Sequence, residues 1–396
     1  MLDWKTLGVK TAALGLAACI WLPCIHLVFA VDTRDYRRTE GIAPKARMLA
    51  ERHLAIWRDP DLRARELAAM QTVNPEWDFM SRTYFVLSLA NMALHDPRLE
   101  DQACEIIDAI LENTLRIEKE EGPTYFLLGY AQQGPWEMTP ARSQFVDGEI
   151  ALMMAARRLV REDVRYQKPL QERARVMMDR MNRSPVGSAE SYPNECWLFC
   201  NTVSLAAIRM MDVLDGSDHS SFLKDWVARA KAKLSNTATG MLISSYAVDG
   251  TPAPSGECPE GSTIFMSAHM LEVVDPVFAR DQYDRARKGL GHSFLGFGYA
   301  REWAPACVGT MDVDSGPIVP FLEASAGASG MAVLGAAVFE DDAFLDQLLP
   351  SLEFAAFPDQ VDDQLIFRAS NPVGDAVLLY ALVEGPLWKR VMEGRI

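Results

Sequence analysis

Apolar residues recur at the spacing of an α-helix along almost the whole chain after residue 45. That spacing gives each segment an apolar face that must be buried against another helix. Two short segments, GMLISSYAVDG and QLIFRAS, are typical of strands instead. The periodicity predicts helices at 46–58, 61–72, 79–95, 99–119, 143–161, 166–182, 197–214, 218–235, 263–273, 276–290, 319–338, 341–355 and 373–393.

The predicted helices follow one another as antiparallel pairs, with no break in composition between them. Longer loops rich in glycine, proline and acidic residues separate several pairs, at 121–140, 184–196, 239–262, 294–318 and 357–371. No repeat of fixed period is present, which argues against a solenoid. With 49% hydrophobic residues the chain can bury one large core. We therefore expect an all-α fold, with residues 35–396 forming a single (α/α)6 toroid that carries short β pieces in its loops.

The N-terminus differs from the rest of the chain. Residues 11–31 contain no formal charge and follow Lys5 and Lys10, and this length can cross a bilayer. Val28 and Ala30 would satisfy a signal-peptide cleavage site before residue 31. The apolar run is long for a signal core, so we favour an uncleaved signal anchor, with residues 1–34 forming the anchor and its flanks.

Positive charges lie mostly beyond the apolar segment, at Arg34, Arg37, Arg38, Lys45 and Arg47. The positive-inside rule by itself would keep the main domain in the cytoplasm. The cysteines do not decide the compartment either. Two of the seven lie in the apolar segment, and the other five form an odd, sparse set that is no disulfide framework: Cys104, Cys196, Cys200, Cys258 and Cys307.

Several classes of function are excluded or disfavoured by charge and motif content. A net charge of −15 would repel phosphate backbones, so we expect no nucleic-acid partner. The sequence also lacks a Walker loop, a dinucleotide-binding glycine fingerprint and a Cys/His quartet with zinc spacing. We expect neither a cofactor nor a metal.

Functional residues should concentrate where the long loops meet at one end of the inner helices. One such loop is SYPNECWLFCN at 191–201, and a second, at 122–150, carries Glu137, Asp147 and Glu149. A third, at 306–320, carries Asp312 and Asp314 before a Gly-Pro turn.

Three of these stretches together resemble a known family. YPNECWLFCN with the following TVSLAAIRMMDVLDG, NPEWDFMSRTY at 74–84, and FVDGEIALM at 145–153 are similar to the linalool dehydratase/isomerase family. That family is a membrane-associated or exported (α/α)6 barrel. Its best-known member works without a cofactor, dehydrates linalool to myrcene and interconverts linalool and geraniol. The resemblance implies an extracytoplasmic domain and a small hydrophobic alcohol as the substrate.

The resemblance also implies site residues. Asp78 and Tyr84 keep the family's Asp-Phe-x-Ser-x-x-Tyr spacing, in which both side chains reach an active site across a subunit interface, so a homo-oligomeric ring is expected. Cys200 matches the second of two active-site cysteines, and Tyr246 matches a tyrosine that lines the cavity.

Two family positions are changed here. The first active-site cysteine is replaced by Ser191, and the glutamate after it by Tyr192. Glu149 after Gly148 stands where the family has a histidine. These changes imply a substrate or reaction direction different from linalool dehydration.

Loss of an allylic hydroxyl needs one group that protonates the oxygen and one that removes a proton from an adjacent carbon. Carboxyl groups in a dry cavity acquire raised pKa values, which lets one of them act as an acid near neutrality. Asp78 and Glu149 are the candidate pair, with Cys200 as a polar neighbour. Aromatic faces at Tyr84, Trp197 and Tyr246 would stabilise an allylic cation. The substrate cavity is expected to be lined by Cys196, Trp197, Tyr246 and Asp147.

Each candidate also has a purely structural interpretation. Asp78 could cap a helix beginning near Phe79, Tyr84 could be core, and Glu149 could favour a helix dipole. Cys196 and Cys200 could be small buried hydrophobes or a disulfide.

Two other classes of function also remain open. An (α/α)6 glycoside hydrolase or polysaccharide lyase would use Asp312 with Asp314, or Glu137 with Glu149, in an open polar groove. A membrane-tethered scaffold would have no enclosed pocket.

Overall fold

The computed structural model describes the chain except residues 1–3, 133, 254–255, 306, 308, 310–311, 314–315 and 396. The helices are α1 Trp4–Cys24, α2 Thr33–Tyr36, α3 Pro44–Arg58, α4 Pro60–Val73, α5 Pro75–His95, α6 Glu100–Glu121, α7 Gln144–Val160, α8 Val164–Met181, α9 Leu198–Asp215, α10 Ser220–Lys233, α11 Gly261–Leu271, α12 Pro276–Leu290, α13 Ala326–Val338, α14 Asp342–Ala355, α15 Pro372–Val383 and α16 Pro386–Glu393. The strands are β1 Cys196–Trp197, β2 Ser245–Tyr246, β3 Gly291–Phe294, β4 Phe297–Arg301, β5 Asp312–Val313, β6 Gly316–Val319, β7 Ala324–Ser325, β8 Pro358–Val361 and β9 Gln364–Phe367.

Six of these helices form a closed inner ring. Helices α5, α7, α9, α11, α13 and α15 each pack against the next, and α15 packs back against α5. Outer helices α6, α8, α12 and α14 return along the inner helices that precede them. The predicted (α/α)6 toroid is confirmed.

The inner helices are buried on all sides, as helices between two packed layers must be. Every residue of α7 is buried, whereas the outer helix α8 buries only one face. The ring is closed at the carboxyl ends of its inner helices by α16, which packs against α5, α7 and α9. There the Trp388 indole stacks 4.6 Å from His269. The opposite end of the barrel is the one where the inner helices begin.

Several boundaries differ from those expected from periodicity. Helix α5 begins four residues earlier than predicted, because Asn74 caps it and Pro75 occupies its first turn. The predicted helix at 319–338 begins only at Ala326, because the preceding residues belong to a five-stranded sheet of order β3-β4-β7-β6-β5. The predicted helix at 373–393 is two helices, since Gly385 adopts a φ of +132° between them.

One disulfide is present that the cysteine count did not reveal. Cys258, in the loop before α11, is bonded to Cys307, in the segment before α13, with their Cα atoms 5.6 Å apart. This single bond is no disulfide framework, because Cys104, Cys196 and Cys200 are free. Cys196 and Cys200 are free thiols, so the alternative of a disulfide between them is wrong.

The N-terminal segment consists of an exposed apolar helix followed by a short stretch that packs against the barrel. Within the described residues, one helical stretch inside Lys5–Tyr36 is long and apolar enough to cross a membrane by length and composition, and its apolar window is not buried. Such a helix serves as a membrane anchor or as a signal sequence. The chain just after it is tied to the barrel, because Tyr36 is fully buried and Arg37 forms a 2.6 Å ion pair with Glu384.

Candidate active site

Glu149 lies on the inner face of α7, close to α9. Gly148 permits the close approach of these two helices, because a Cβ at this position would lie 2.5 Å from Ser204 Oγ and 3.3 Å from the Cys200 carbonyl oxygen. Cys200 is thereby brought into the same part of the barrel as Glu149. Gly148 therefore allows α7 and α9 to pack closely at the point where the next residue, Glu149, places its carboxyl group inside the ring.

The Glu149 carboxyl is buried and only half satisfied by hydrogen bonds. Thr83 Oγ1 of α5 donates to Glu149 Oε2 at 2.6 Å, while Oε1 has no hydrogen-bond partner among the described residues. Burial raises the pKa of Glu149 to about 8, the Thr83 hydrogen bond opposes this rise, and the charge of Glu76 adds to it. Glu149 is therefore mostly a neutral carboxylic acid at pH 7, with one oxygen available to a ligand.

Tyr84 and Cys200 border the same carboxyl. Both are buried, and burial raises the pKa of the Tyr84 phenol and of the Cys200 thiol well above their usual values. The charge of Glu149 raises each of these two pKa values further. A hydrogen bond from Ser191 opposes the rise for Cys200. The thiol consequently stays protonated, and Ser191 is in contact with Cys200 through this hydrogen bond.

Tyr246 and Cys196 are joined by the short ladder between β1 and β2, in which they are direct partners. The Tyr246 hydroxyl and Ser188 Oγ are 2.8 Å apart and form a hydrogen bond. Burial raises the pKa of Cys196, and the charge of Glu190 raises it further, whereas Arg180 lowers it. The pKa of Cys196 is thus shifted by charged groups that lie outside the Glu149 site. The charges of Cys196 and Cys200, when ionised, both raise the pKa of Tyr246.

Trp197 stands at the start of α9 and is partly exposed. Its backbone N–H donates to Ser191 Oγ at 3.3 Å, which helps to fix the serine beside Cys200. Its indole Nε1 is buried and has no hydrogen-bond partner among the described residues. A substrate oxygen is one acceptor that would satisfy this group.

Asp78 is not placed as expected. Its carboxylate accepts two hydrogen bonds from Arg82, at 2.8 and 3.2 Å, and Arg82 also donates to Asn113 and Thr114 of α6. Burial raises the pKa of Asp78, and Arg82 lowers it. The carboxylate is therefore held by an ion pair within α5 that is linked to α6 through Arg82. No hydrogen bond among the described residues joins Asp78 to Glu149, and the catalytic pair stays a prediction. Capping is wrong, because Asn74 is the cap of α5.

Asp147 lies away from Glu149 and is held by arginines. It is two residues from Glu149 and so projects from the opposite face of α7. Arg142 donates to both carboxylate oxygens, Arg173 of α8 pairs with one of them, and both arginines also bind Glu118 of α6. Two guanidinium groups saturate the carboxylate between the inner and outer helices, so it does not line the Glu149 site.

Glu76 was missed from the sequence. It precedes Thr83 by seven residues, which places both on one face of α5. Its charge raises the pKa values of Glu149 and Cys200. The signal that could have identified it is the cap at Asn74, which starts the helix early enough to include Glu76.

Of the remaining candidates, only Glu137 has a side chain among the described residues. Glu137 is exposed, and its backbone N–H is bound by Glu190. Asp314 and the Asp312 side chain lie outside the described residues. Among the described residues, no cluster of three or more His, Cys, Asp or Glu side chains could hold a metal ion.

The site is closed to solvent in the single chain, since Glu149, Tyr84 and Cys200 are at most 5% exposed. A cavity of about 360 Å³ lies elsewhere, on the outer face between α12 and the turn before α14, where Arg280, Arg287 and Asp341 line it. An open groove at Glu149, which a polysaccharide would need, is therefore not formed by the described residues.

The fold and the site define an (α/α)6 barrel with a buried carboxylic acid, a thiol and tyrosines at its centre. Residues 142–370, more than half of the chain, match the linalool dehydratase/isomerase family, and the chain belongs to that family. The matched range includes Glu149, Ser191, Cys200 and Tyr246 but begins after Asp78 and Tyr84.

One solved structure similar to this chain is a selenomethionine derivative of a GH76 alpha-mannanase from Bacteroides thetaiotaomicron. The two chains share 10% sequence identity with a TM-score of 0.49, over 79% of this chain and 87% of that one. Nothing about the substrate of this chain follows from a likeness at that level.

Proposed function

We propose that this protein eliminates, adds or moves a hydroxyl group on an unsaturated isoprenoid-like alcohol, without a cofactor. Family membership supports a dehydratase/isomerase type of chemistry. The observation that carries the proposal is Glu149, a buried acid with a pKa of about 8 and one oxygen without a partner among the described residues. Such an acid can protonate a poor leaving group at neutral pH.

In the dehydration direction, Glu149 donates its proton to the substrate hydroxyl. The Thr83 hydroxyl holds Oε2, which leaves Oε1 to carry the proton toward the substrate. The carbon–oxygen bond then breaks, water leaves with the bonding electrons, and an allylic cation remains. A tyrosine face stabilises a nearby cation, a role available to Tyr84.

Elimination is completed when a base removes a proton from the carbon next to the cation, and the electrons of that C–H bond form the new double bond. We assign this role to Glu76, which replaces Asp78 as the second carboxyl group. Its position on the Thr83 face of α5 and its effect on the pKa of Glu149 support the assignment. Isomerisation follows when water instead bonds to another carbon of the allylic cation and returns a proton to the Glu149 carboxylate, which restores the acid and gives the isomeric alcohol.

Cys200 acts in this proposal as a neutral polar neighbour of the reacting carbon, because its raised pKa keeps it a thiol. Ser191 occupies the place of the family's other cysteine, so a mechanism that needs a thiol pair is not open to this chain. A carboxylic acid at Glu149 also replaces an imidazole. These two changes favour a substrate or direction other than linalool dehydration.

The test is to incubate the purified protein with a panel of monoterpene and sesquiterpene alcohols and the matching dienes, and to analyse the volatile products. Wild type is compared with Glu149→Gln and with the matched control Asp78→Asn. The proposal expects turnover to be lost in Glu149→Gln and to persist in folded Asp78→Asn. Cleavage of an oligosaccharide with no reaction of any alcohol would establish the carbohydrate alternative instead. If Glu149→Gln keeps wild-type turnover, the assignment of the acid is wrong.

A homo-oligomeric ring remains a proposal that rests on the family resemblance. In this chain Tyr84 already borders its own Glu149, and Asp78 is buried within its own chain. Completion of the site therefore does not require a neighbour. Light scattering on detergent-solubilised protein tests the ring, and a monomer at micromolar concentration would contradict it.

We also propose that the N-terminal helix is an uncleaved anchor and that the barrel faces an oxidising, extracytoplasmic compartment. Cleavage before residue 31 would remove His26 and Phe29, both of which contact Phe297 of the barrel. The disulfide between Cys258 and Cys307 favours the oxidising side, because such bonds are rare in the cytoplasm. Protease treatment of intact spheroplasts should degrade the barrel, and complete protection would contradict this placement.

A further inference from the structure

Three phenylalanine rings meet where the N-terminal apolar helix joins the barrel, and two further phenylalanines lie next to them across a strand pair or along the chain. The Phe29 ring lies 6.1 Å from the Phe297 ring and 5.1 Å from the Phe354 ring, and those two rings are 5.2 Å apart. Phe294 is the partner of Phe297 across the β3–β4 turn, and Phe357 follows Phe354 by three residues just beyond α14. We call these five residues the phenylalanine cluster.

Three members of the phenylalanine cluster leave much of their side chain in solvent. Phe294, Phe354 and Phe357 are 54%, 49% and 63% exposed. Among the described residues the exposed phenylalanines include only one more, Phe321 on the β6–β7 turn. Contiguous exposed apolar surface of this kind marks a site of contact with a membrane or a protein.

We propose that the phenylalanine cluster inserts into the interfacial layer of the bilayer that α1 enters. This inference rests on the proposed uncleaved anchor. The apolar segment 11–31 ends at the cluster itself, since Phe29 is one of its members. His26 packs so closely on the β3–β4 turn that a Cβ on Gly296 would lie 2.4 Å from its ring. If Phe29 lies in the interfacial layer, the Phe297 and Phe354 rings, 6.1 and 5.1 Å from it, lie at nearly the same depth.

Continuity of the surface selects lipid over a second copy of the chain. Leu27 and Val28, just before Phe29, are exposed to 61% and 78%, so apolar surface runs without a break from α1 into the phenylalanine cluster. Arg34 and Arg38 are exposed on the next part of the chain, although Arg34 also pairs with Asp32. Guanidinium groups beside an apolar patch suit phospholipid headgroups.

The experiment places a fluorescent reporter in the cluster of the full-length protein in phosphatidylcholine vesicles. Phe357→Trp is compared with Val164→Trp, which changes a 74% exposed apolar residue at the start of α8, outside the cluster. Emission of the native tryptophans is subtracted using wild type. Lipids brominated near the top of the acyl chain should quench the Phe357→Trp signal at least about twofold more than that of Val164→Trp, because interfacial side chains reach this depth.

The outcomes separate the two proposals. Equal quenching of the two variants, with the protein still bound to vesicles, overturns the membrane contact of the cluster and leaves the anchor intact. Protein recovered free of vesicles with residues 1–30 missing overturns the anchor and this inference with it. Cross-linking of two copies through the β3–β4 turn, without quenching of Phe357→Trp, shows that a second copy covers the cluster and also overturns the inference.

Discussion

The buried carboxyl groups of this barrel occupy two regions that differ in what faces them. Glu149, inside the ring, meets a hydroxyl group and a second carboxyl group and forms no ion pair within the described residues. Asp147 and Asp78, between the inner and outer helices, are held by guanidinium groups. All three are at least 98% buried, so burial does not distinguish them. The presence or absence of a positively charged partner distinguishes them, because a buried carboxylate without such a partner takes up a proton.

The comparison predicts its largest effect for Glu149→Gln. Removing the proton donor should lower kcat by roughly 10²–10⁴-fold, the usual contribution of a positioned acid. The amide keeps the hydrogen bond from Thr83, so folding should be preserved. Product formation by gas chromatography and far-ultraviolet circular dichroism measure the two quantities. A variant with full kcat would show that the region inside the ring is structural too.

Asp78→Asn should affect stability instead. Arg82 is 1% exposed, and without its carboxylate it becomes an unpaired buried cation, at a cost of about 3–5 kcal/mol in the free energy of unfolding. Activity per folded molecule should stay near that of wild type. Urea unfolding measures the loss, and Asp78→Asn with Arg82→Met should recover part of it. A stable but inactive Asp78→Asn would return Asp78 to the catalytic pair.

The free energy of unfolding should depend on pH in the range over which Glu149 titrates. Its pKa is about 8 in the folded protein and 4.5 in the reference state, so the folded chain holds an extra proton between these values. Stability present below pH 4.5 should be lost progressively as the pH rises from 4.5 through 8, by roughly 5 kcal/mol at about 1.4 kcal/mol per pH unit. The activity should fall over the same upper range as the acid loses its proton. Urea midpoints at several pH values test this, and Glu149→Gln should remove that part of the slope.

The smallest effect is expected for Gly148→Ala, because Gly148 lies between Asp147 and Glu149 on α7. Gly148→Ala places a methyl group 2.5 Å from Ser204 Oγ, which should push α7 from α9 and cost about 1–3 kcal/mol of stability. Displacement of Glu149 from Cys200 should also lower kcat. Gly330→Ala is the matched control, because this helical glycine has open space around its Cβ position. Equal results for the two variants would show that close packing at Gly148 does not position the acid.

Much of the fold was predictable because helical periodicity needs no knowledge of long-range contacts. The helices of the ring were found with boundary errors of a few residues, except at 319–338, where a sheet replaces the predicted first turns. The disulfide was not predictable, because a sequence separation of 49 between its cysteines gives no geometric signal.

The site was predictable only in part. Glu149, Cys200 and Tyr84 do come together inside the ring. Asp147 and Glu149 look alike in the sequence, as acids in the first turns of one helix. Only the closed arrangement of helices determines that one face of α7 contacts Arg142 and Arg173, while the opposite face contacts α5. The Asp78–Arg82 ion pair was not predictable for the same reason, since the spacing allows such a pair but does not select it.

Closure of the ring also dictates an order of assembly. Helix α15 seals against α5, and the Leu387 amide binds the Asn91 side chain across 296 positions of the chain. During synthesis the half-built barrel must keep a gap until α15 and α16 have left the ribosome, with apolar faces of α5 and α13 open to other molecules. Long-range closure of this kind makes folding slow and the unfinished chain prone to aggregation. A premature stop that removes only the last two helices should therefore be as harmful to the cell's supply of this protein as one placed far upstream.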